Sequence, residues 1–430
     1  MRLVAPSIPV QASPAKWLDT PGALALLFFV FGALLFARYP PVLLHAELWG
    51  EDGWLWYPDA YRVGFASLLI PDGGYLNSFQ RLVAIAVQPL PLAWVPTIFA
   101  AVALLTQMLP ALFLLSSRMA PVWPNVWARL ALAVLYLALP DVQELFGKLT
   151  NTHWHLALLA FLILVSASPK TWVGVAFDAV FLVLSGLSGP FCVILLSVAF
   201  WELVARRDRT TAWRASLLVA MAAVQMTVVL QAGPHAGRSS VPLGAGPRAL
   251  ARILAFQIVL QAELGLRTAT RLLDTAAWRT NILPVAVTIA GAALGTVGLL
   301  RGSPLLRKFC LFAGLMLCVA LASPLASLTE PQWPVLATPL AANRYFTFPM
   351  LAWVAILFTL TGQRTIWLRS ASGLLLASLC IWAIPREWSH YLPLPTTDFV
   401  AQARAFENAL PGTRAEFAVL PGRNMVLIKR

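Results

Sequence analysis

A series of long apolar blocks, almost free of charge, constrains this chain more than any other feature. Residues 22–37 contain no charged side chain, and comparable blocks recur to about residue 386. A bilayer core of about 30 Å takes about 20 helical residues to cross. The blocks are rich in Leu, Ala and Val and lack a two-residue alternation. That favours a helical bundle, in which each segment satisfies its own backbone, over a β-barrel. Only 11% of the residues are charged and 59% are hydrophobic, whereas a soluble domain carries about a quarter charged residues. The sequence therefore predicts an all-α polytopic membrane protein.

Eleven spans are expected, at about 21–42, 92–116, 123–140, 153–168, 172–186, 189–205, 212–232, 281–300, 309–326, 344–362 and 370–386. Residues 1–20 are polar and contain proline, so the first block is expected to remain as a span. Basic residues set the orientation, because Lys and Arg collect in cytoplasmic loops. Arg118, Arg129, Lys170, Arg206, Arg207, Arg209, Arg214, Arg301, Arg307, Lys308, Arg364 and Arg369 fall on the side of the N-terminus. The N-terminus is thus expected inside and the C-terminus outside. The net charge of +13 has the same origin, and nucleic acid is not an expected partner.

Two domains follow: a multi-span region over 1–386, with outer loops at 43–91 and 233–280, and an outer appendage over 387–430. In the appendage a short helix (398–410) precedes two strand-like runs, 415–420 and 424–428, around a turn. Residues 252–264 are apolar on one side and too short to span, which fits an interfacial or re-entrant helix. Cys192, Cys310, Cys318 and Cys380 lie in apolar blocks without metal-ligand spacing and are expected to be small buried hydrophobes.

All five histidines and most acids fall on the expected outer side, where a binding or reacting site would open. The densest cluster follows the first span, where Glu51 and Asp52 stand between Gly50 and Gly53. Behind it, 60–69 can form an amphipathic interfacial helix. A carboxylate here could deprotonate a hydroxyl or bind a divalent cation, or be a solvated loop acid. A second cluster comprises Asp141, Glu144, Lys148, Thr150, Asn151, His153 and His155. The two histidines are two apart and do not share a helical face, and Thr150 or Asn151 is expected to cap the helix that follows. The third feature is Asn343-Arg344-Tyr345-Phe346. Its Arg344 either snorkels to headgroups or grips a phosphate, with Arg81 and Arg238 as further candidates.

The acidic pair after the first span, with Tyr57, Ala60 and Gly64 behind it, resembles the integral-membrane glycosyltransferases of the GT-C fold class. So do Pro71-Asp72-Gly73-Gly74-Tyr75-Leu76, Gln80-Arg81-Leu82, Leu149 to Trp154, Leu187 to Phe191 and Asn343 to Phe346, which are similar to an uncharacterised bacterial branch of that superfamily. The resemblance implies an inner-membrane enzyme that moves a sugar, with inversion, from a polyprenyl-phosphate (or polyprenyl-diphosphate) donor to a lipid or glycan acceptor of the cell envelope on the periplasmic or extracellular side. By it, Asp52 or Glu51 would be the base, Arg344, Arg81 and Arg238 would hold the donor phosphate, and Tyr57, Asn151, His153 and Tyr345 would contact substrate. Some members use Mg or Mn and others do not, so metal dependence stays open; Asp52 and Glu51 would hold such a cation. Other readings are a transporter or flippase of a lipid-linked sugar, an envelope polysaccharide ligase or polymerase working through Arg and His of 233–280, and a non-catalytic subunit. Asp178 is the clearest ionisable residue near a span centre, and a transporter would need more.

Overall fold

The computed structural model describes residues 20–233, 239–391 and 395–430. A helix occupies each apolar block: α1 (Pro21–Arg38), α2 (Val95–Leu115), α3 (Val126–Ala138), α4 (Thr152–Val165), α5 (Trp172–Gly186), α6 (Phe191–Arg206) and α7 (Arg209–Ala232). After α8 (Pro247–Leu272) come α9 (Ile282–Arg301), α10 (Pro304–Ala322), α11 (Thr347–Thr361) and α12 (Ile366–Ser389). Several starts carry the side-chain caps that leave fewer orphan N–H groups. Thr20, Asn125, Thr171, Asp208 and Ser303 each accept the N–H three residues on. Among the described residues, seven helical segments, including Leu92–Leu115, Arg209–Ala232 and Ile282–Arg301, are long and apolar enough to cross a membrane. The chain is an all-α polytopic membrane protein, with one small sheet among the described residues.

Every residue of α4 is buried, and it packs against α2, α5 and α6. A helix that is apolar all round belongs in the centre of a bundle. Conversely, Leu26, Phe29, Leu230, Ile289, Leu300 and Ile381 are exposed, as expected of a perimeter whose solvent is lipid. The cysteines divide between these environments. All are free thiols; Cys192 is buried and Cys310 half-buried, but Cys318 and Cys380 are exposed, contrary to the expectation that all four are buried. An apolar block places a small hydrophobe equally well against lipid or against protein.

Contacts between helix ends define two ends of the bundle, and we call upper the one that carries residues 39–91. At the lower end Arg129 donates to the Leu114 and Ser116 carbonyls, Arg214 pairs with Asp178, Lys308 with Glu202, and Arg301 donates to Thr365. At the upper end Arg38 meets Glu387 and the Leu139 carbonyl, and Gln225 donates to the carbonyls of Leu76, Gly186 and Gly189.

Helix α8 is longer than the 252–264 expected from sequence and meets the length and hydropathy needed to cross. It is broken at Gly265, whose φ of +71° suits glycine and whose backbone lies against that of Ala383. Both parts reach upper groups. Arg252 donates to Asn281 at the start of α9, and Leu264–Thr268 border a small cavity shared with Arg386, Glu387 and His390 at the end of α12. The interfacial helix expected over 60–69 is likewise split at Gly64 (φ +56°), with a helix over Tyr57–Val63 and a 3₁₀ segment over Gly64–Leu69.

The appendage has the expected form. Helix α13 (Phe399–Glu407) is followed by antiparallel strands β1 (Arg414–Val419) and β2 (Arg423–Ile428), with Phe417 opposite Met425. Phe417, Val419, Met425 and Leu427 alternate to the buried face, where they join Phe399, Phe406, Trp56 and Tyr57. The hairpin thereby docks on the first upper loop. Leu420 donates to the Leu48 carbonyl (3.2 Å) and accepts from the Gly50 N–H (2.6 Å). The Val419 side chain fills the space a Cβ on Gly53 would take, 2.5 Å away. We predict that Gly53→Ala separates the hairpin from the loop at a cost of about 1–3 kcal/mol. Limited proteolysis near 410–413 measures it, and cleavage no faster than in the natural chain would contradict it.

Candidate active site

The upper end holds a cavity of about 660 Å³. Its walls come from segments distant in sequence: the first loop (Trp49, Glu51, Trp54, Trp56), residues 72–77, the mouth of α4 (Glu144, Thr150, Asn151, His153, Trp154), the start of α6, residues 316–328, Arg344 with Tyr345, and the β1–β2 turn. Trp, Tyr and Phe side chains surround a few convergent carboxylates, amides and cations, the pattern of a small-molecule site.

Glu51 and Asp52, adjacent in sequence, have separate fates. Gly50 (φ +55°) turns the chain into a π-helical turn over Asp52–Trp56. Glu51 then lines the cavity, its Oε2 accepting from the Thr150 hydroxyl at 2.9 Å. Asp52 points into protein instead. Its Oδ2 accepts the Leu149 N–H at 3.2 Å, and its Oδ1 is buried without a partner among the described residues. Burial, aided by the Glu51 charge, pushes the Asp52 carboxyl well above the usual range.

This arrangement overturns the capping expected of Thr150 and Asn151. Asn151 stands before α4 without a side-chain cap bond; its amide donates to the Glu144 carbonyl, and Thr150 donates to Glu51. Asp52 in the facing loop takes the Leu149 N–H at that end, so the two side chains are free to face the cavity wall.

His153 lines the cavity, with Nδ1 2.8 Å from the Gln80 amide. His155 faces away, against the Tyr136 hydroxyl and the Leu145 carbonyl, as their two-residue spacing requires. Arg344 lines the cavity too, but its guanidinium is committed: one nitrogen donates to Glu144 (2.9 Å), another to the Leu325 carbonyl and the Tyr345 hydroxyl. Tyr345 borders the cavity beside it.

Arg81 and Tyr57 are not on the cavity wall. Arg81 is fully buried, paired with Asp59 at 3.0 Å and stacked on Trp56. Tyr57 is buried against the appendage. Arg238 lies outside the described residues. Asp72, Trp54 and Arg423 also line the cavity, and no pattern in the sequence marks them as site residues. Burial and the nearby Glu51 charge outweigh Arg81 and raise the Asp72 carboxyl to about 6. Lys148, whose ammonium sits 3.3 Å over the Trp49 ring, is lowered by burial to about 8.

Among the described residues, no three His, Cys, Asp or Glu side chains gather as a metal site would need. Asp52 faces protein while Glu51 faces the cavity, so the pair does not present a joint donor set for Mg or Mn. What the cavity offers instead is a carboxylate already hydrogen-bonded, a second carboxylate that burial raises to about 6, and aromatic faces that suit the C–H surface of a sugar ring. Neither protein-family models nor characterised proteins give a match to this chain.

Proposed function

We propose that the chain is an inner-membrane glycosyltransferase of GT-C type that moves a sugar from a polyprenyl-phosphate donor to an envelope lipid or glycan. In this reading α1 to α7, α9, α10, α11 and α12 are eleven spans, α8 is re-entrant from the upper side, and the upper end faces the periplasm. The observation that carries the reading is Glu51 on a large aromatic-lined cavity at one end of a membrane bundle. Glu51 takes the proton of the acceptor hydroxyl as that oxygen bonds to the anomeric carbon. The bond to the donor phosphate breaks with its electron pair, leaving polyprenyl phosphate and an inverted glycoside. The Thr150 hydroxyl orients Glu51, and nearby cations stabilise the charge growing on the phosphate. No step is assigned to a metal.

Transfer of labelled sugar from a polyprenyl-phosphate-sugar pool in membranes containing the chain tests the reading; its absence from the natural chain across such donors would refute it. The same assay reads a pH dependence. With Asp72 titrating at about 6, transfer should fall as the pH drops through 6, because protonation removes a cavity charge. Asp72→Asn, which lacks that charge at every pH, should abolish the limb and leave transfer at its low-pH level throughout, and an unmoved limb would remove Asp72 from the site. In stability the sign is opposite. A carboxyl raised from 3.8 to about 6 favours the fold most below pH 4, and that contribution is lost as the pH rises through 6.

A further inference from the structure

Among the described residues the cavity has two arginines on its wall, and the side chain of only one is uncommitted. Arg344 is bonded to Glu144, Leu325 and Tyr345. Arg423, at the start of β2 and opposite Val419 in the sheet, makes no side-chain hydrogen bond or ion pair among the described residues; its side-chain contact is with the Trp54 ring. Its guanidinium lies 4.1 Å from the Trp54 ring centroid, and both residues line the cavity with Pro421. The ring contact leaves the guanidinium N–H groups without a protein acceptor among the described residues, and a fork in that condition can take an oxyanion through two parallel bonds.

The turn that carries Arg423 is held firmly. Besides the Leu48–Leu420–Gly50 bonds and the Val419–Gly53 contact, the Tyr61 hydroxyl donates to the Ile428 carbonyl and the Lys429 ammonium to the Glu407 carbonyl. The Glu407 carboxylate in turn accepts the Leu92 N–H. Glu51, Asp72 and Glu144 face the same cavity, so an anionic ligand needs a cation that no protein carboxylate has already claimed.

We propose that Arg423, presented on Trp54 by the C-terminal hairpin, is the phosphate-binding cation of this cavity and that its ligand is a prenyl phosphate ester. The assignment rests on the transferase reading for the choice of a lipid-linked phosphate, and on the geometry alone for the oxyanion. It makes the appendage part of the substrate site.

Binding of farnesyl phosphate, farnesol and inorganic phosphate to the full chain in nanodiscs, followed by calorimetry, tests it. Farnesyl phosphate should bind the natural chain about tenfold or more tighter than either comparison probe. Arg423→Ala should lose that margin and leave farnesol binding unchanged, and Arg423→Lys should recover part of it. Arg423 is exposed and its side-chain contact among the described residues is the Trp54 ring, so the variants should fold; an unchanged thermal transition checks this. Farnesyl phosphate affinity that is unaltered in Arg423→Ala, or no phosphate-dependent margin in the natural chain, overturns the proposal. Inorganic phosphate binding as tightly as the ester overturns the lipid assignment. Arg423-dependent binding by a chain that transfers no sugar supports this site and refutes the transferase reading; active transfer with unaltered binding in Arg423→Ala does the reverse.

Discussion

Glu51→Gln should lower sugar transfer by about 10²–10⁴-fold, the range a positioned general base contributes, while Asp52→Asn should stay within about threefold of the natural chain. The two substitutions are equivalent in chemistry and one residue apart, so the difference isolates what the fold does with each carboxylate. Gln keeps an oxygen for the Thr150 hydroxyl, 2.9 Å from Glu51 Oε2, and removes only the charge and the basicity. Asn keeps an acceptor for the Leu149 N–H. Because burial already pushes the Asp52 carboxyl upward, replacing it by a neutral amide changes little in the electrostatics of the loop. Asp52→Ala is a different matter. It removes the acceptor and leaves a buried N–H without a partner, at a cost of about 1–3 kcal/mol. Initial rates at matched levels of folded protein decide the matter. Loss in Asp52→Asn with full activity in Glu51→Gln would transfer the base to Asp52 and require a rearranged loop.

The helices were legible because lipid leaves little choice: a segment in hydrocarbon must be apolar and must bond its own backbone. The hairpin was legible because Phe417, Val419, Met425 and Leu427 alternate with solvent-facing residues. The site was legible only as a neighbourhood. Motifs placed Glu51, Asn151, His153, Arg344 and Tyr345 at one end of the bundle, and the cavity brings all five together. Which acid of the pair faces inward was not legible. Neighbouring residues on a helical turn point about 100° apart, and the docking of α4 against the loop selects between them. The Arg344–Glu144 pair joins residues 200 positions apart, and Arg423 meets Trp54 from near the other end of the chain. No local pattern announces such pairs, so Arg81 and Arg344 read as phosphate ligands although each already has a carboxylate partner.

Asp178→Ala should be among the most destabilising single substitutions in the protein, at about 3–5 kcal/mol. From sequence, Asp178 stands out as an acid inside a span, the feature a transporter would use. In the fold it is the shared acceptor of two lower-end arginines. Arg118 reaches Oδ1 at 2.6 Å and Oδ2 at 2.8 Å, and Arg214 reaches Oδ2 at 2.6 Å. Asp178 has no exposed side-chain surface and Arg214 has 1%. The same guanidiniums also cover the Ser166 and Ala167 region where α4 ends, so the cluster joins α4, α5 and α7. Removing the carboxylate leaves two cations facing each other in a poorly solvated space. Asp178→Asn should fall between, because an amide oxygen still accepts a hydrogen bond but no longer offsets the charge. Thermal unfolding of the detergent-solubilised protein measures the series. Replacing the cluster together, as Arg118→Met, Asp178→Leu and Arg214→Leu, should recover much of the loss, since matched apolar side chains often equal a buried ion pair. A translocation residue predicts the opposite: Asp178→Asn with unaltered unfolding and abolished flux of a lipid-linked sugar would move the chain to the transporter class.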